Sequence, residues 1–422
     1  VEGGPLLPVK TEFYQSGLGL EALRSLASLA SLVGKNDVSK ELQAAFERQK
    51  PAFNQTFWSP EKKAYVYALD QQNRRMDELS VLTTVPMWFG LTDPDKSEAT
   101  IQQLAEADHQ TDWGMRIISN RSALYNGSGY HFGSVWPLFT GWASVGEYRY
   151  HEAFPAYANL RANALLALDG SLGHVAEVLS GDYYQPLSTN SPHQIWSAAM
   201  VVSPILRGLL GIETDAQNHT LVFAPHVPAE WRSFSVDNLR VGSAVVSVGY
   251  RKTPGLITVE VRRTGAGDCM VVFSPALSLR SGVASVELNG HGLPFHVSTT
   301  SDDQHVTIRF PATDVANIAR IHLKNDFGLG FSGTLPPLGS VSEGLRILSE
   351  SWNAGHTQLS LTLSGLAGKG YDLSVWNPLQ IASVQGGQLH DARQDEGKLT
   401  VEFPAANAGS YVRQELVINF AK

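Results

Sequence analysis

The 422-residue sequence holds one cysteine, Cys269, which excludes an internal disulfide framework and any cysteine-based zinc site. Its histidines are scattered, with no His-x-x-x-His pair and no glutamate-containing zinc signature, so no metal is expected. No glycine-rich loop follows a strand to cradle phosphate, and no nucleophile elbow marks Ser-His-Asp chemistry. No cofactor is therefore expected. Basic runs are missing as well, and with a net charge of −8 the chain does not suit a phosphate backbone, which argues against nucleic acid. No apolar run is long enough to span a bilayer, so no membrane partner is expected. The lone cysteine leaves the compartment open, with a soluble, secreted or periplasmic location expected ahead of a cytoplasmic one. The chain opens on Val1 rather than Met, which points to a processed product or a piece of a longer chain.

What is present divides near residue 213. Before it, apolar residues recur at helical spacing, as in Leu20, Leu23, Leu26, Ala27, Ala30 and Val33, with small residues between them that allow close packing. Further helices are predicted over 38–57, 76–91, 94–107, 131–148, 151–168 and 191–211, bounded by Gly, Pro or Asp signals. After Glu213-Thr214-Asp215 the pattern alternates, as in Ile257–Val261, Val306–Phe310, Leu359–Leu363 and Leu399–Phe403. A Gly-, Pro- and Ser-rich loop at 328–340 splits this β half. The expected organisation is a helical domain over 1–212, a β-sandwich over 213–330 and a second antiparallel β-sandwich over 331–422.

Two segments of the helical half carry chemistry. One is aromatic, Tyr130-His131-Phe132-Gly133-Ser134-Val135-Trp136-Pro137. The other holds a carboxylate, His174-Val175-Ala176-Glu177-Val178, and is followed by Ser191-Pro192-His193-Gln194-Ile195-Trp196-Ser197. Aromatic faces stack on the apolar face of a pyranose, and a carboxylate in such surroundings can activate water at an anomeric carbon. Each residue also has a structural reading: a buried aromatic cluster, an Asp–Arg pair, a solvated glutamate.

Taken in order, Asp112-Trp113-Gly114-Met115-Arg116, Tyr125, Tyr130-His131-x-Gly133-Ser134-Val135-Trp136-Pro137, Glu177 and Gln194-x-Trp196-Ser197 resemble the catalytic domain of glycogen-debranching amylo-α-1,6-glucosidases. These are relatives of glucoamylases built on an (α/α)6 toroid. The resemblance covers residues 1–212, and Pro225-His226-Val227-Pro228-Ala229-Glu230-Trp231 resembles the entry into the β domain that follows such toroids, including those of rhamnosidases and sugar phosphorylases. It implies a partial (α/α)6 toroid followed by one or two antiparallel β-sandwich domains. About seven predicted helices are roughly half of such a ring, so the missing N-terminal half is an expected partner, as further sequence or a separate chain.

The resemblance places the general base on Glu177 and implies an inverting, exo-acting glycoside hydrolase on α-linked gluco-oligosaccharides or related glycans. Such chemistry needs a second carboxyl roughly 6.5–9.5 Å from the base. The family position of this acid precedes the first helix, where only Glu2 and Glu12 stand, Glu2 as the acid candidate and Glu12 as a pocket-lining residue. An acid further upstream is the third alternative. Asp112, Trp113, Arg116, Tyr130, His131, Trp136, Gln194 and Trp196 are the remaining substrate-binding candidates. The alternatives are a non-catalytic carbohydrate-binding or remnant protein lacking the acid, and a rhamnosidase-like or phosphorylase activity on the same fold. Asp77 and Glu78, after Arg74-Arg75, read as an acidic first turn of a helix.

Overall fold

The computed structural model describes residues 9–393, 395–407 and 409–421, so Glu2 lies outside the described residues. The chain forms two compact units. One is helical, ends at Pro204 and includes Thr334–Leu348; the other comprises Ile205–Gly333 with the chain from Ser349 onward.

Seven α-helices occur among the described residues: α1 (Phe13–Leu32), α2 (Asn36–Phe57), α3 (Thr84–Trp88), α4 (Pro94–Leu104), α5 (Pro137–Arg149), α6 (Ala153–Leu166) and α7 (Ile195–Ser203). Prolines start α4 and α5, where the missing N–H costs nothing. The helices predicted from 76, 131 and 191 start later, at 84, 137 and 195. Residues 76–80 are not helical, because Ser80 bridges Ile118 and its Oγ caps a 3-10 turn, Val81–Thr83, that leads into α3. Glu78 therefore lies outside any helix, its carboxylate accepting from Ser122 Oγ at 2.8 Å. The segment 131–136 is not helical: residues 131–133 lie in turns, Val135 bonds Leu179 in both directions, and Pro137 holds the preceding residue out of the helical region. The last helix waits for Gln194, whose side chain caps Ile195, and ends at Pro204, after which Pro204–Leu209 is a π-helical stretch.

The odd-numbered helices form a row, α1 on α3, α3 on α5 and α5 on α7, while α2 packs on α1 and α6 on α5. Glycine sets each contact in the row. A Cβ on Gly17 would lie 2.5 Å from Pro86 Cγ, one on Gly146 would lie 3.0 Å from Thr84 O, and one on Gly141 would lie 2.4 Å from Met200 Cβ. Beneath α1 and α2, Phe13 stacks on Phe53 at 4.6 Å and on Tyr65 at 4.9 Å.

The segments leading into the odd helices are stitched together by Phe13 N to Tyr67 O, Tyr67 N to Glu78 O, Val81 N to Ile117 O, Ile117 N to Ser134 O, Val135 N to Leu179 O and Gln194 N to Val175 O. Their N-terminal ends thus share one side of the helical unit. Partial positive charge at helix starts favours carboxylates there.

In the β unit, one six-stranded sheet orders Ser233–Val241, Ala244–Thr253, Leu256–Thr264, Asn317–Lys324, Gly282–Leu288 and His291–Gly292. A second orders Ala276–Ser278, Asp303–Pro311, Met270–Phe273, Thr220–Phe223 and Ile212–Asp215, with His296–Thr299 also on Asp303–Pro311. Two four-stranded sheets follow, built on Gly370–Trp376 with Glu396–Glu402 and on Gln358–Leu366 with Tyr411–Phe420. Alternating burial, as in Ala244–Tyr250, matches the period-2 pattern of the sequence. Among the described registers of this unit the pairing is antiparallel except that Thr220–Phe223 and Met270–Phe273 run parallel. The segment 334–348, which the sequence places largely at the head of a last β domain, packs instead with the helical unit, held there by Asp112 and Tyr184.

Candidate active site

Glu177 lies on an irregular hairpin. Its N–H donates to Ser191 O at 2.9 Å, Leu179 exchanges bonds with Val135, and Ser180 N reaches Gln185 O at 2.9 Å. Glu177 is buried, with 9% of its surface exposed. Tyr130 Oη donates to Glu177 Oε1 at 2.8 Å, and Ser191 N donates to Oε2 at 3.2 Å. Each oxygen keeps a lone pair for another donor.

Tyr130 stands edge-on to Trp136 at 4.6 Å and to His131 at 4.7 Å, and His131 stacks flat on Trp136 at 5.5 Å. Trp136 itself is buried and donates its indole N–H to Tyr130 O at 2.9 Å. It therefore backs the two half-buried rings, Tyr130 and His131, that lie in front of it. From Trp136 the aromatic run continues to Phe139 at 5.7 Å, Trp142 at a further 5.5 Å and Tyr14 at 6.0 Å beyond that. Tyr14 is two residues from Glu12, whose Oε1 accepts from Tyr67 Oη at 3.2 Å. Burial, then the Glu12 charge, raises the Tyr67 pKa and keeps its phenol protonated. The strip thus begins near Glu177 and ends near Glu12.

The structure gathers Glu177, Tyr130, His131 and Trp136, and it joins Glu12 to them through that strip. Gln194 caps α7, its Oε1 accepting from Ile195 N at 3.2 Å, and Trp196 is exposed on the first turn of the same helix. Three candidates are committed elsewhere. Trp113 is fully buried, and its indole N–H donates to Ser180 O at 2.9 Å. Arg116 is buried and spends its guanidinium on Gly181 O at 2.7 Å and Ala107 O at 2.9 Å. Asp112 pairs not with Arg116 but with Arg346, 2.7 Å away. Burial alone would raise the Asp112 pKa, but Arg346 and the Glu343 N–H outweigh it and hold the carboxyl below its usual range.

Two features are not visible in the sequence. Arg346 lies more than two hundred positions from Asp112, and no local motif announces the pair. Glu147, on α5, is completely buried with Asn159 Nδ2 at 3.0 and 2.8 Å from its two oxygens, and burial pushes its pKa up to about 8. Its position directly after Gly141-Trp142-Ala143-Ser144-Val145-Gly146, a stretch without charge, was the available signal.

Residues 12–197 match the family model described as the mannosylglycerate hydrolase MGH1-like glycoside hydrolase domain. The matched stretch makes up most of the helical unit and is similar to a glycoside hydrolase domain. The match does not single out the debranching or glucoamylase subfamily. No curated protein matches the chain. Among solved structures, a sialidase is similar in fold at TM-score 0.51 and 12% identity, over 58% of this chain and 24% of that one. An α-L-rhamnosidase from Dictyoglumus thermophilum aligns at TM-score 0.48 and 14% identity, over 72% of this chain and 31% of its own. A mannosylglycerate hydrolase from Thermus thermophilus, solved with glucose, aligns at TM-score 0.38 and 15% identity, over 46% of this chain and 46% of its own. The chain spans between about a quarter and less than half of the length of these structures. No helix among the described residues is long and apolar enough to cross a membrane.

Proposed function

We propose that this chain belongs to an inverting, exo-acting glycoside hydrolase in which Glu177 is the general base. The observation that carries this reading is the Glu177 carboxylate beside half-buried aromatic rings, held by Tyr130 Oη and Ser191 N. In such a reaction Glu177 takes a proton from a water, the water oxygen bonds to the anomeric carbon, and the glycosidic C–O bond breaks as an acid protonates the leaving oxygen. Tyr130 and the Ser191 amide fix the carboxylate plane while leaving one lone-pair direction open to the water. The faces of Tyr130 and His131 suit the apolar face of a sugar ring.

The substrate is an α-linked gluco-oligosaccharide or a related glycan, and the name of the matching family adds mannosylglycerate to the candidates. The general acid comes from the segment of Glu2 or from sequence upstream of it. A partial (α/α)6 toroid is the matching architecture, supported by the single row of odd helices. Leu18, Leu26, Leu29 and Leu32 along α1, and Val33 just after it, are exposed, as expected for a face covered by further helices of the same ring. The test is hydrolysis of mannosylglycerate and of maltooligosaccharides, followed by proton NMR of the first anomer released. An inverted anomer, lost in Glu177→Gln, supports the assignment; a retained anomer contradicts it.

A further inference from the structure

The segment Thr334–Leu348 is a strap across the helical unit, and its bonds converge on the hairpin that carries Glu177. At one end Asp112 takes four donations from it: Arg346 Nη2 at 2.7 Å, Glu343 N at 2.8 Å, and Gly344 N to both carboxylate oxygens at 3.0 and 3.1 Å. Asp112 N returns a bond to Ser342 Oγ at 3.1 Å, and Arg346 Nη2 bonds the same hydroxyl at 2.6 Å. Gly344 permits this closure, since a Cβ there would lie 2.4 Å from Asp112 Oδ1. At the other end Tyr184 N donates to Ser340 O and Gly339 N to Tyr184 O, both at 2.9 Å. Leu335 packs on the cluster of Trp113, Val135, Leu179 and Tyr184.

Both attachments reach the hairpin by short routes. Asp112 precedes Trp113, whose indole holds Ser180 O, three residues from Glu177. Tyr184 lies at the turn of the same hairpin and sits 5.8 Å from the Trp113 ring. We propose that the strap is a positioning element for the Glu177 carboxylate, acting through the Arg346–Asp112 pair and Tyr184, with Arg346 as its principal residue. The proposal rests on the assignment of Glu177 as the base. Asp112, read from sequence as a sugar contact, serves here as the anchor of the strap.

The geometry explains why these groups are charged and buried together. The side chains of Asp112 and Arg346 are 8% and 6% exposed, and removing one partner of such a pair leaves the other buried without its counter-charge. The strap should then lift from Asp112, freeing Trp113 and the hairpin turn. A base displaced by about 1 Å loses much of its catalytic advantage while sugar stacking persists.

The experiment compares wild type with Arg346→Ala, Arg346→Lys and the milder Ser342→Ala, by hydrogen exchange of peptides covering 177–187 and 334–348 and by steady-state hydrolysis. Arg346→Ala should speed exchange in both regions by about tenfold or more. It should lower kcat by a similar factor with KM little changed, and Arg346→Lys should recover part of both. If Arg346→Ala does not fold, Ser342→Ala should show the same pattern at smaller size. Faster exchange confined to 334–348, with 177–187 as in wild type, would overturn the proposal. The exchange readout does not depend on turnover. Should Glu177→Gln retain wild-type activity while the exchange coupling holds, the base assignment fails and the strap's structural coupling does not.

Discussion

Replacing Glu147 by glutamine should make the helical unit more stable, and the gain should depend on pH. The folded Glu147 carboxyl has its pKa pushed up to about 8 by complete burial, against an ordinary 4.5. Below the unfolded value both states hold the proton and pH does not matter. Between the two values only the unfolded chain ionises, so the folded state binds more protons and stability falls as pH rises. Above about 8 the folded group ionises too and the loss levels off. At 1.36 kcal/mol for each pH unit of the gap, the total loss is about 5 kcal/mol. That is a large part of the 5–15 kcal/mol that stabilises a typical domain. Glutamine has the same shape and no proton to lose, and its amide can face the Asn159 amide, whose Oδ1 has no partner in the wild type. Urea unfolding followed at 222 nm reads the unit directly, since all α-helices among the described residues lie within it. At pH 4.5 the two proteins should agree to about 1 kcal/mol, and at pH 8 the variant should be more stable by about 3–5 kcal/mol. Parallel stability profiles from pH 4.5 to 8 would show that Glu147 is not held neutral, and would refute the argument.

Other expected outcomes follow from single contacts. Tyr130→Phe keeps the ring and removes the hydrogen bond to Glu177; a bond to a charged group contributes about 1.5–3 kcal/mol, so kcat should fall roughly tenfold to a hundredfold with KM nearly constant. Gly141→Ala places a methyl 2.4 Å from Met200 Cβ and should cost about 1–3 kcal/mol in urea unfolding by forcing α5 and α7 apart. In the same assay Gly19→Ala, where nothing lies within 4 Å, should not destabilise α1.

The split between helices and strands was legible because it rests on local periodicity. The alternation around Val259 and Leu361 recurs in the strands Leu256–Thr264 and Gln358–Leu366. Helix starts were less legible. Residues 131–136 carry a helix-compatible pattern, yet Val135 is drawn into pairing with Leu179, a contact between segments more than forty positions apart. The same limit explains the site. Tyr130, Trp136 and Glu177 stand out through residue type, and the structure brings them together. Asp112, Trp113 and Arg116 stand out equally, but their partners, Arg346, Ser180 and Gly181, are set by tertiary closure that no local spacing encodes. Glu147 looked like one glutamate on an apolar helix. Only its packing against Asn159 reveals a carboxyl without solvent.

If Glu177 activates water for glycoside hydrolysis, turnover of mannosylglycerate and maltooligosaccharides must differ between wild type and Glu177→Gln. The wild type should release free sugar, and the variant should lose about a hundredfold or more in kcat with little change in KM. Equal turnover by the two proteins would remove Glu177 from the chemistry. Sugar binding without any turnover, in a protein that also carries the acid-bearing remainder of the ring, would contradict the hydrolase reading and leave a carbohydrate-binding protein in its place.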